Sequence, residues 1–456
     1  MLLWLLGITV LLSFWRLGDL GFFIWDASAV DHAIAPHVRD FDDESLNKPF
    51  FPKHNCYTSY AVAQQLATEG EANIYGPDLY RNPKRETPVH AEIGDLLSID
   101  RYQYPPPFLL LPWLLDRIGG GFWGARSLFF LLTLGAFALC LLCLQRWLRN
   151  APHSSGTALR VWTAWPLVLL ASTTLATLQF GNVHALVMIL AVLGMLAVVT
   201  GRHLTGGALL GFTVASKISP GLLLVYLLAR GKWKGVAWTA AFGAIYTFAT
   251  WLLFGVRPFT AFFGYQFQRL ASGEAFSFAF SNPRAMLVNS SFTGIPYRLQ
   301  QIGVLDEVGG LAKGTTWIAG FILLGCAWYW GRAWRGAQSD TSDDRRFAEL
   351  GLWLVLLLLA QMRSPFLPWS YGSFVVLWLL AVLLVAPKGL ASWRVRAAVL
   401  LPLWFFLSTP LPLPFGGPTL RADFFFAFSG TALALALAVA AVIHARRTLH
   451  DEATTS

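Results

Sequence analysis

The sequence predicts an all-α polytopic membrane protein, and three observations carry that prediction. Of its 456 residues, 55% are hydrophobic and only 13% are charged, where an ordinary soluble domain carries about 25% charged residues. A soluble chain of this length would leave large exposed apolar patches. The apolar residues also fall in blocks close to the roughly 20 residues that a spanning helix needs. Many of the 20 tryptophans stand near the ends of those blocks, as in an interfacial aromatic belt. Disorder, collagen-like structure and a secreted disulfide scaffold are excluded on the same figures. Cys140, Cys143 and Cys326 lie in apolar segments and Cys56 stands alone in a polar one, so the spacing offers no disulfide framework or zinc motif.

Taken in order, the first apolar block covers 2–24, interrupted by Arg16 and Asp19. It lacks a basic leading region and a small-residue cleavage site, so it reads as a retained helix, not a cleaved signal. A polar stretch over 25–104 follows, and 105–115 is apolar but short enough to be interfacial or re-entrant. Spanning segments are expected near 124–144, 161–178, 183–200, 235–255, 315–331, 347–361, 370–386, 396–408 and 424–444. With 205–229 they make a bundle of about 10–12 transmembrane helices in one integral membrane domain over 1–456.

The formal net charge of +9 is better read as topology than as nucleic-acid binding. Basic residues gather in short loops: Arg146/Arg149/Arg160, Arg202, Arg230/Lys232/Lys234, Arg332/Arg335/Arg345/Arg346, Lys388/Arg394/Arg396 and Arg446/Arg447. Lys/Arg-rich loops stay in the cytoplasm, which puts both termini there. The segment 205–229 then joins two cytoplasmic loops and must enter and return on one side. Its middle, Lys217-Ile-Ser-Pro220, sets a charge and a helix breaker in apolar sequence, as two half-helices or a tight helix pair require. Two long extracytoplasmic loops result, 25–104 with interfacial helices and 256–314, besides shorter outer turns at 179–184, 363–369 and 409–423.

Most residues of unusual polarity lie in or just beneath those loops. Lys217 is the clearest, because a charge inside an apolar segment lines a cavity or pairs with something, or snorkels to an interface. The turn Gln179-Phe-Gly-Asn182-Val-His184 offers amides and an imidazole that suit sugar hydroxyls, or else a simple helix cap at Asn182. Arg101-Tyr-Gln-Tyr104-Pro-Pro-Pro-Phe108 is first a rigid entry to a membrane segment, with Tyr104 able to touch a ligand. Arg363, in Met362-Arg363-Ser-Pro365-Phe-Leu-Pro368-Trp369-Ser370-Tyr371, is a phosphate partner or a snorkelling helix-end charge. Asn289 belongs to a polar stretch running from Ser281-Asn282-Pro283-Arg284 to Ser291. Acidic candidates for a general base are Asp26, Asp31, Asp40, Asp42 and Asp43. Asp26 follows the first span directly, where partial desolvation would raise its pKa.

Several segments together resemble the polyprenol-phosphate-mannose-dependent glycosyltransferases of family 87, membrane enzymes of GT-C fold. The family's tyrosine and small-residue helix is similar to Tyr57-Thr-Ser-Tyr60-Ala-Val-Ala63, with Gly70 and Tyr75 following. Its aromatic-Tyr-Pro-Pro entry looks like Tyr102-Gln-Tyr104-Pro105-Pro106. Its Gly-Gln-Val-Asn turn is loosely matched at Gln179-Phe-Gly181-Asn182-Val183. Its Lys-x-x-Pro hairpin matches Lys217-Ile-Ser-Pro220, its Asn-x-Ser motif Asn289-Ser290-Ser291, and its Ser-Pro the pair Ser364-Pro365. Where the family has an aspartate just before the first-loop tyrosine, this chain has Asn55 or Cys56, and the carboxylate role falls to Asp26 or Asp31. Where the family often has a histidine pair, this chain has Trp369-Ser370-Tyr371, with Arg363 as the substitute phosphate contact.

The resemblance implies transfer of a sugar, mannose by analogy, on the extracytoplasmic face of a bacterial plasma membrane. The donor would be a polyprenyl-phosphate-linked sugar, and the acceptor a lipid or glycan among the membrane lipids. An Asp base would assist an inverting displacement, with Lys217 and Arg363 stabilising the leaving phosphate and Tyr60, Tyr104, Gln179, Asn182, His184 and Asn289 contacting sugar or acceptor. Nothing in the sequence calls for a metal or another cofactor. The rival classes are a lipid or solute transporter or flippase using Lys217 as its midplane site, and a catalytically inactive glycolipid-binding paralogue. Bond cleavage, or its absence, tells them apart.

Overall fold

The computed structural model describes residues 2–34, 42–43, 48–49, 53–80, 86–149, 157–277, 280, 285–286, 289–335, 343–387, 389–408 and 420–455. Asp40, the segment 281–284 and the turn 409–419 lie outside them. The longer helices are α1 (Leu2–Trp25), α2 (Cys56–Thr68), α3 (Leu110–Gly119), α4 (Phe122–Arg149), α5 (Thr157–Trp162), α6 (Ala164–Leu169) and α7 (Ser172–Gln179). They continue as α8 (His184–Val199), α9 (His203–Ser216), α10 (Leu222–Ala229), α11 (Trp233–Phe254), α12 (Gly309–Ala333), α13 (Asp343–Gln361), α14 (Trp369–Val385), α15 (Trp393–Ser408) and α16 (Leu420–Thr455). The strands are pairs of residues: β1 (Asp42–Asp43) antiparallel to β2 (Lys48–Pro49), and β3 (His54–Asn55) parallel to β4 (Ser98–Ile99).

The expected multi-pass helical membrane protein is what forms. Among the described residues five helices are long and apolar enough to cross a bilayer: Leu6–Trp25, Phe122–Leu148, Trp233–Phe254, Gly309–Ala333 and Phe428–His450. A sixth arises if the pair either side of residue 170, bent by 68°, is one span. Of the remaining expected segments, 183–200, 347–361 and 370–386 form interior helices, while 396–408 forms α15, which turns Val399 and Phe405 outward. Helices α8, α13 and α14 are enclosed on nearly every side, and a helix apolar all round belongs in a core. Helix α11 instead turns Trp238, Ile245, Phe248, Trp251 and Leu252 outward, a surface suited to lipid and not to water.

The segment 205–229 folds as the two half-helices its sequence suggests. Helix α9 stops at Lys217, whose backbone is extended; a 3-10 turn over Ser219–Gly221 carries Pro220, and α10 resumes. Glycines let α9 lie close to its neighbours, as small residues do where no water drives helices together. A Cβ on Gly207 would fall 2.4 Å from Cβ of Trp238 in α11, and one on Gly206 2.6 Å from Cγ2 of Val198 in α8.

Helix α13 sets the two ends of the bundle. Near its start Arg346 donates to the carbonyl of Trp147, and Glu349 makes a buried ion pair with Arg230. Tyr226 adds its hydroxyl to Glu349 at 3.3 Å. Gln361 ends the same helix, roughly 22 Å away at 1.5 Å per residue. Basic loop residues thus collect at the end opposite Gln361. We expect Gly207→Leu to lower the unfolding temperature of the detergent-solubilised protein, overpacking costing about 1–3 kcal/mol or more. Gly243→Leu, where an added Cβ meets nothing within 4 Å, should leave the unfolding temperature nearly unchanged.

Candidate active site

Two chain segments far apart in sequence build the floor of the site. Strand β3 pairs with β4 in the register His54↔Ser98 and Asn55↔Ile99, which sets Asp100 beside His54, Nδ1 to Oδ1 at 3.6 Å. Asn55 caps α2 by accepting from the Tyr57 N–H at 3.1 Å, and its amide donates to the Gln179 carbonyl at 3.0 Å. The Cys56 N–H donates to the Phe180 carbonyl at 2.6 Å. The turn 179–184 therefore docks directly onto the N-terminus of α2. Gly181 is required there: its φ is +62°, and a Cβ would sit 3.0 Å from Cβ of Tyr57.

From that dock a continuous polar network spreads. Asn182 braces the turn: its oxygen accepts from the His184 N–H at 2.9 Å, and its amide donates to Cys56 Sγ at 3.2 Å. The Tyr60 hydroxyl accepts from the Val183 N–H at 3.2 Å and donates to the Tyr104 hydroxyl at 3.3 Å. Lys217 Nζ donates to His184 Nδ1 at 2.7 Å and lies 6.0 Å above the Tyr104 ring. His184 is neutral in this arrangement, because Nδ1 accepts from an ammonium while Nε2 donates to Gln361 Oε1. The Gln361 amide is oriented by its own bond to the Gly372 carbonyl at 3.2 Å. An ammonium has three donors, so Lys217 keeps N–H groups for a ligand oxygen.

Tyr60, Tyr104, Asn182, His184 and Lys217 thus come together, and Gln179 joins from the side by accepting from the Ile34 N–H at 2.7 Å. Four other residues stand elsewhere. Asp26 is exposed and accepts from the Ser28 N–H at 2.9 Å. Hydrogen bonding from Ser28 lowers its pKa, which corrects the expected rise: on an exposed side chain desolvation is too small to outweigh the bonds. Asp31 is exposed in the turn Val30–His32. Arg363 is exposed, with its guanidinium along α12 at Gly320, where an added Cβ would meet it at 3.0 Å. Asn289 is fully buried and ties two loops together, accepting from the Leu367 N–H at 2.9 Å and donating to the Pro365 carbonyl at 3.2 Å.

The sequence reading passed over His54, Asp100, Gln361 and Tyr371. The Tyr371 hydroxyl lies 3.1 Å from His54 Nε2 and 3.2 Å from Cys56 Sγ. Asp100 was visible in one respect, as the carboxylate immediately before Arg101 and Tyr102. Burial, with the Asp100 carboxylate adding to it, pushes the Cys56 thiol above its ordinary range, so the free thiol stays protonated at neutral pH.

A helical membrane bundle with one end carrying a lysine among hydroxyl, amide and imidazole groups has the chemistry to hold an anionic, hydroxyl-rich ligand. Residues 102–365 match glycosyltransferase family 87. That is more than half of the chain, and the protein belongs to this family: it is a multi-pass membrane glycosyltransferase. No curated protein matches it. Among solved structures, ArnT from Cupriavidus metallidurans in the apo state is similar over 86% of this chain and 74% of that one, with 15% sequence identity and a TM-score of 0.30. The family match includes Tyr104, Gln179, Asn182, His184, Lys217, Asn289 and Gln361 but begins after His54, Cys56 and Asp100.

Because Asn289 holds the loop before α14, Asn289→Ala should cost about 1–3 kcal/mol of stability for each buried partner left unsatisfied. Thermal unfolding of the purified variant measures this, and any loss of ligand binding should follow the loss of folded protein.

Proposed function

We propose that this glycosyltransferase moves a sugar, mannose in the reading the resemblance implies, from a polyprenyl-phosphate donor to a lipid or glycan acceptor. The work is done at the end of a GT-C bundle that faces away from the cytoplasm. The observation that carries the reading is Lys217: a cation at the break of a half-helix pair, 2.7 Å from a neutral His184. Among the described residues no carboxylate forms an ion pair with its ammonium. A half-buried lysine within the membrane bundle is costly without an anionic partner, and a phosphate oxygen supplies that partner. The opposite end of the bundle is rich in arginine, which supports a cytoplasmic placement for it.

In the proposed reaction an acceptor hydroxyl oxygen bonds to the anomeric carbon while the bond from that carbon to the phosphate oxygen breaks. The configuration inverts, the electron pair leaves with the polyprenyl phosphate, and the hydroxyl proton passes to a carboxylate. Lys217 stabilises the negative charge gathering on the leaving phosphate. Tyr60, Tyr104 and Asn182 present hydroxyl and amide groups to the sugar, with His184 holding the lysine in line. Asp100 takes the role of base in this scheme in place of Asp26 and Asp31. It belongs to the network through His54, whereas those two are exposed beyond the end of α1. Arg363 and Asn289 carry no step in it.

Purified protein in vesicles with labelled polyprenyl-phosphate-mannose and membrane lipids tests the proposal. Release of polyprenyl phosphate is expected, and Lys217→Met should slow it about 10²–10³-fold, the usual effect of removing one electrostatic stabiliser, without loss of folded protein. Asp100→Asn should be comparably slow, while Asp26→Asn and Asp31→Asn stay within about threefold of the unaltered chain, less than the weakest effects of removing a general base. Full activity in Lys217→Met would sink the reading. Movement of intact donor across the vesicle without bond cleavage would point to a transporter instead.

A further inference from the structure

His54, Cys56 and Asp100 offer one ligand atom each, and these atoms lie within 4.8 Å of one another. They come from three places: the first residue of β3, the first turn of α2, and the residue after β4. The parallel pairing of β3 with β4 unites positions that the sequence separates by more than forty residues, so no spacing motif announces them. We propose that these three residues form a zinc site, bound through a thiolate, an imidazole nitrogen and a carboxylate oxygen. Nothing in it depends on sugar transfer.

The donor set selects the metal. Thiolate with imidazole favours zinc over magnesium, calcium or manganese, which take oxygen ligands. Zinc bonds of about 2.0–2.3 Å in a tetrahedral set hold ligand atoms roughly 3.3–3.8 Å apart. With Nε2 as the imidazole ligand, the His54 to Cys56 Sγ separation of 3.7 Å is already in that range, and the three ligand atoms lie within 4.8 Å of one another, so a small movement of the Asp100 side chain closes the set. A divalent cation, a thiolate and a carboxylate sum to zero charge, which suits a site walled by buried residues.

The surroundings also support a metal. Asn182 aims an amide N–H at the sulfur at 3.2 Å, and its orientation is fixed by the His184 N–H on its oxygen. The Tyr371 hydroxyl stands 3.2 Å from the same sulfur. Hydrogen bonds of this kind orient ligands and help to set a site's affinity. Thr58 steadies the third ligand, its hydroxyl accepting from the Asp100 N–H at 3.0 Å. Entry is open past Asp100, whose side chain is 35% exposed, against 12% for His54. On binding, the Cys56 thiol releases its proton to solvent and the imidazole ligates in its neutral form.

The test uses the full-length chain in detergent with any affinity tag removed, equilibrated with zinc and then with cobalt. Elemental analysis should find one zinc per chain, and the cobalt form should show a thiolate-to-metal charge-transfer band. Cys56→Ala should abolish the band and weaken zinc binding about tenfold or more, and Asp100→Asn should weaken binding with the band retained. Cys143→Ser, altering a half-buried thiol of α4, should bind zinc as the unaltered chain does. Zinc should raise the unfolding temperature of the unaltered chain and not that of Cys56→Ala, which controls for variants that fold poorly. Unaltered chain that binds well under one zinc, or a cobalt band that persists in Cys56→Ala, would overturn the proposal.

Discussion

The structure depends on one docking event, the seating of the turn 179–184 on the first residues of α2. Its bonds are few: the Cys56 N–H to the Phe180 carbonyl, the Asn55 amide to the Gln179 carbonyl, and the Asn182 amide to Cys56 Sγ. Each satisfies a polar group that would be costly to bury alone. Close approach is possible only because Gly181 adopts φ +62° with no Cβ to strike Tyr57. Through this contact a polar segment between the first two spans becomes one wall of the site, and the membrane helices become the other.

The second constraint is the interruption at Lys217. An unbroken helix through this region would have left the ammonium among apolar side chains. Stopping α9 there and restarting after Pro220 gives the lysine a polar neighbour in His184, which is in turn held by Gln361 and so by the junction of α13 with α14. The lysine is thus positioned by three helices that form the tightly packed centre. The glycine-lined approach of α9 to α8 and α11 makes that positioning rigid.

Legibility followed the range of the interactions. Lys217, Pro220 and the turn 179–184 stood out because a charge, a breaker or an amide cluster in apolar sequence is a local anomaly. Asp26 looked attractive for the same local reason, its place after α1, yet the fold leaves it exposed and bonded to Ser28. Asp100 and His54 looked like ordinary loop residues, since their significance comes from a two-residue parallel pairing. Asn289 sat in a motif-like stretch, but its hydrogen bonds to Leu367 and Pro365 make it a tie between loops.

By itself the sequence determined the solvent and the class of structure. Low charge and long apolar blocks leave a helical membrane bundle as the available answer, because backbone groups in lipid must be satisfied within each segment. It also marked Lys217 as a charge out of place in apolar sequence and Pro220 as the break beside it. Tertiary structure alone decided that Asp26 and Asp31 stay exposed, that Asn289 ties two loops together, and that His54, Cys56 and Asp100 meet. Those outcomes rest on contacts between residues distant along the chain, which hydropathy and spacing do not encode.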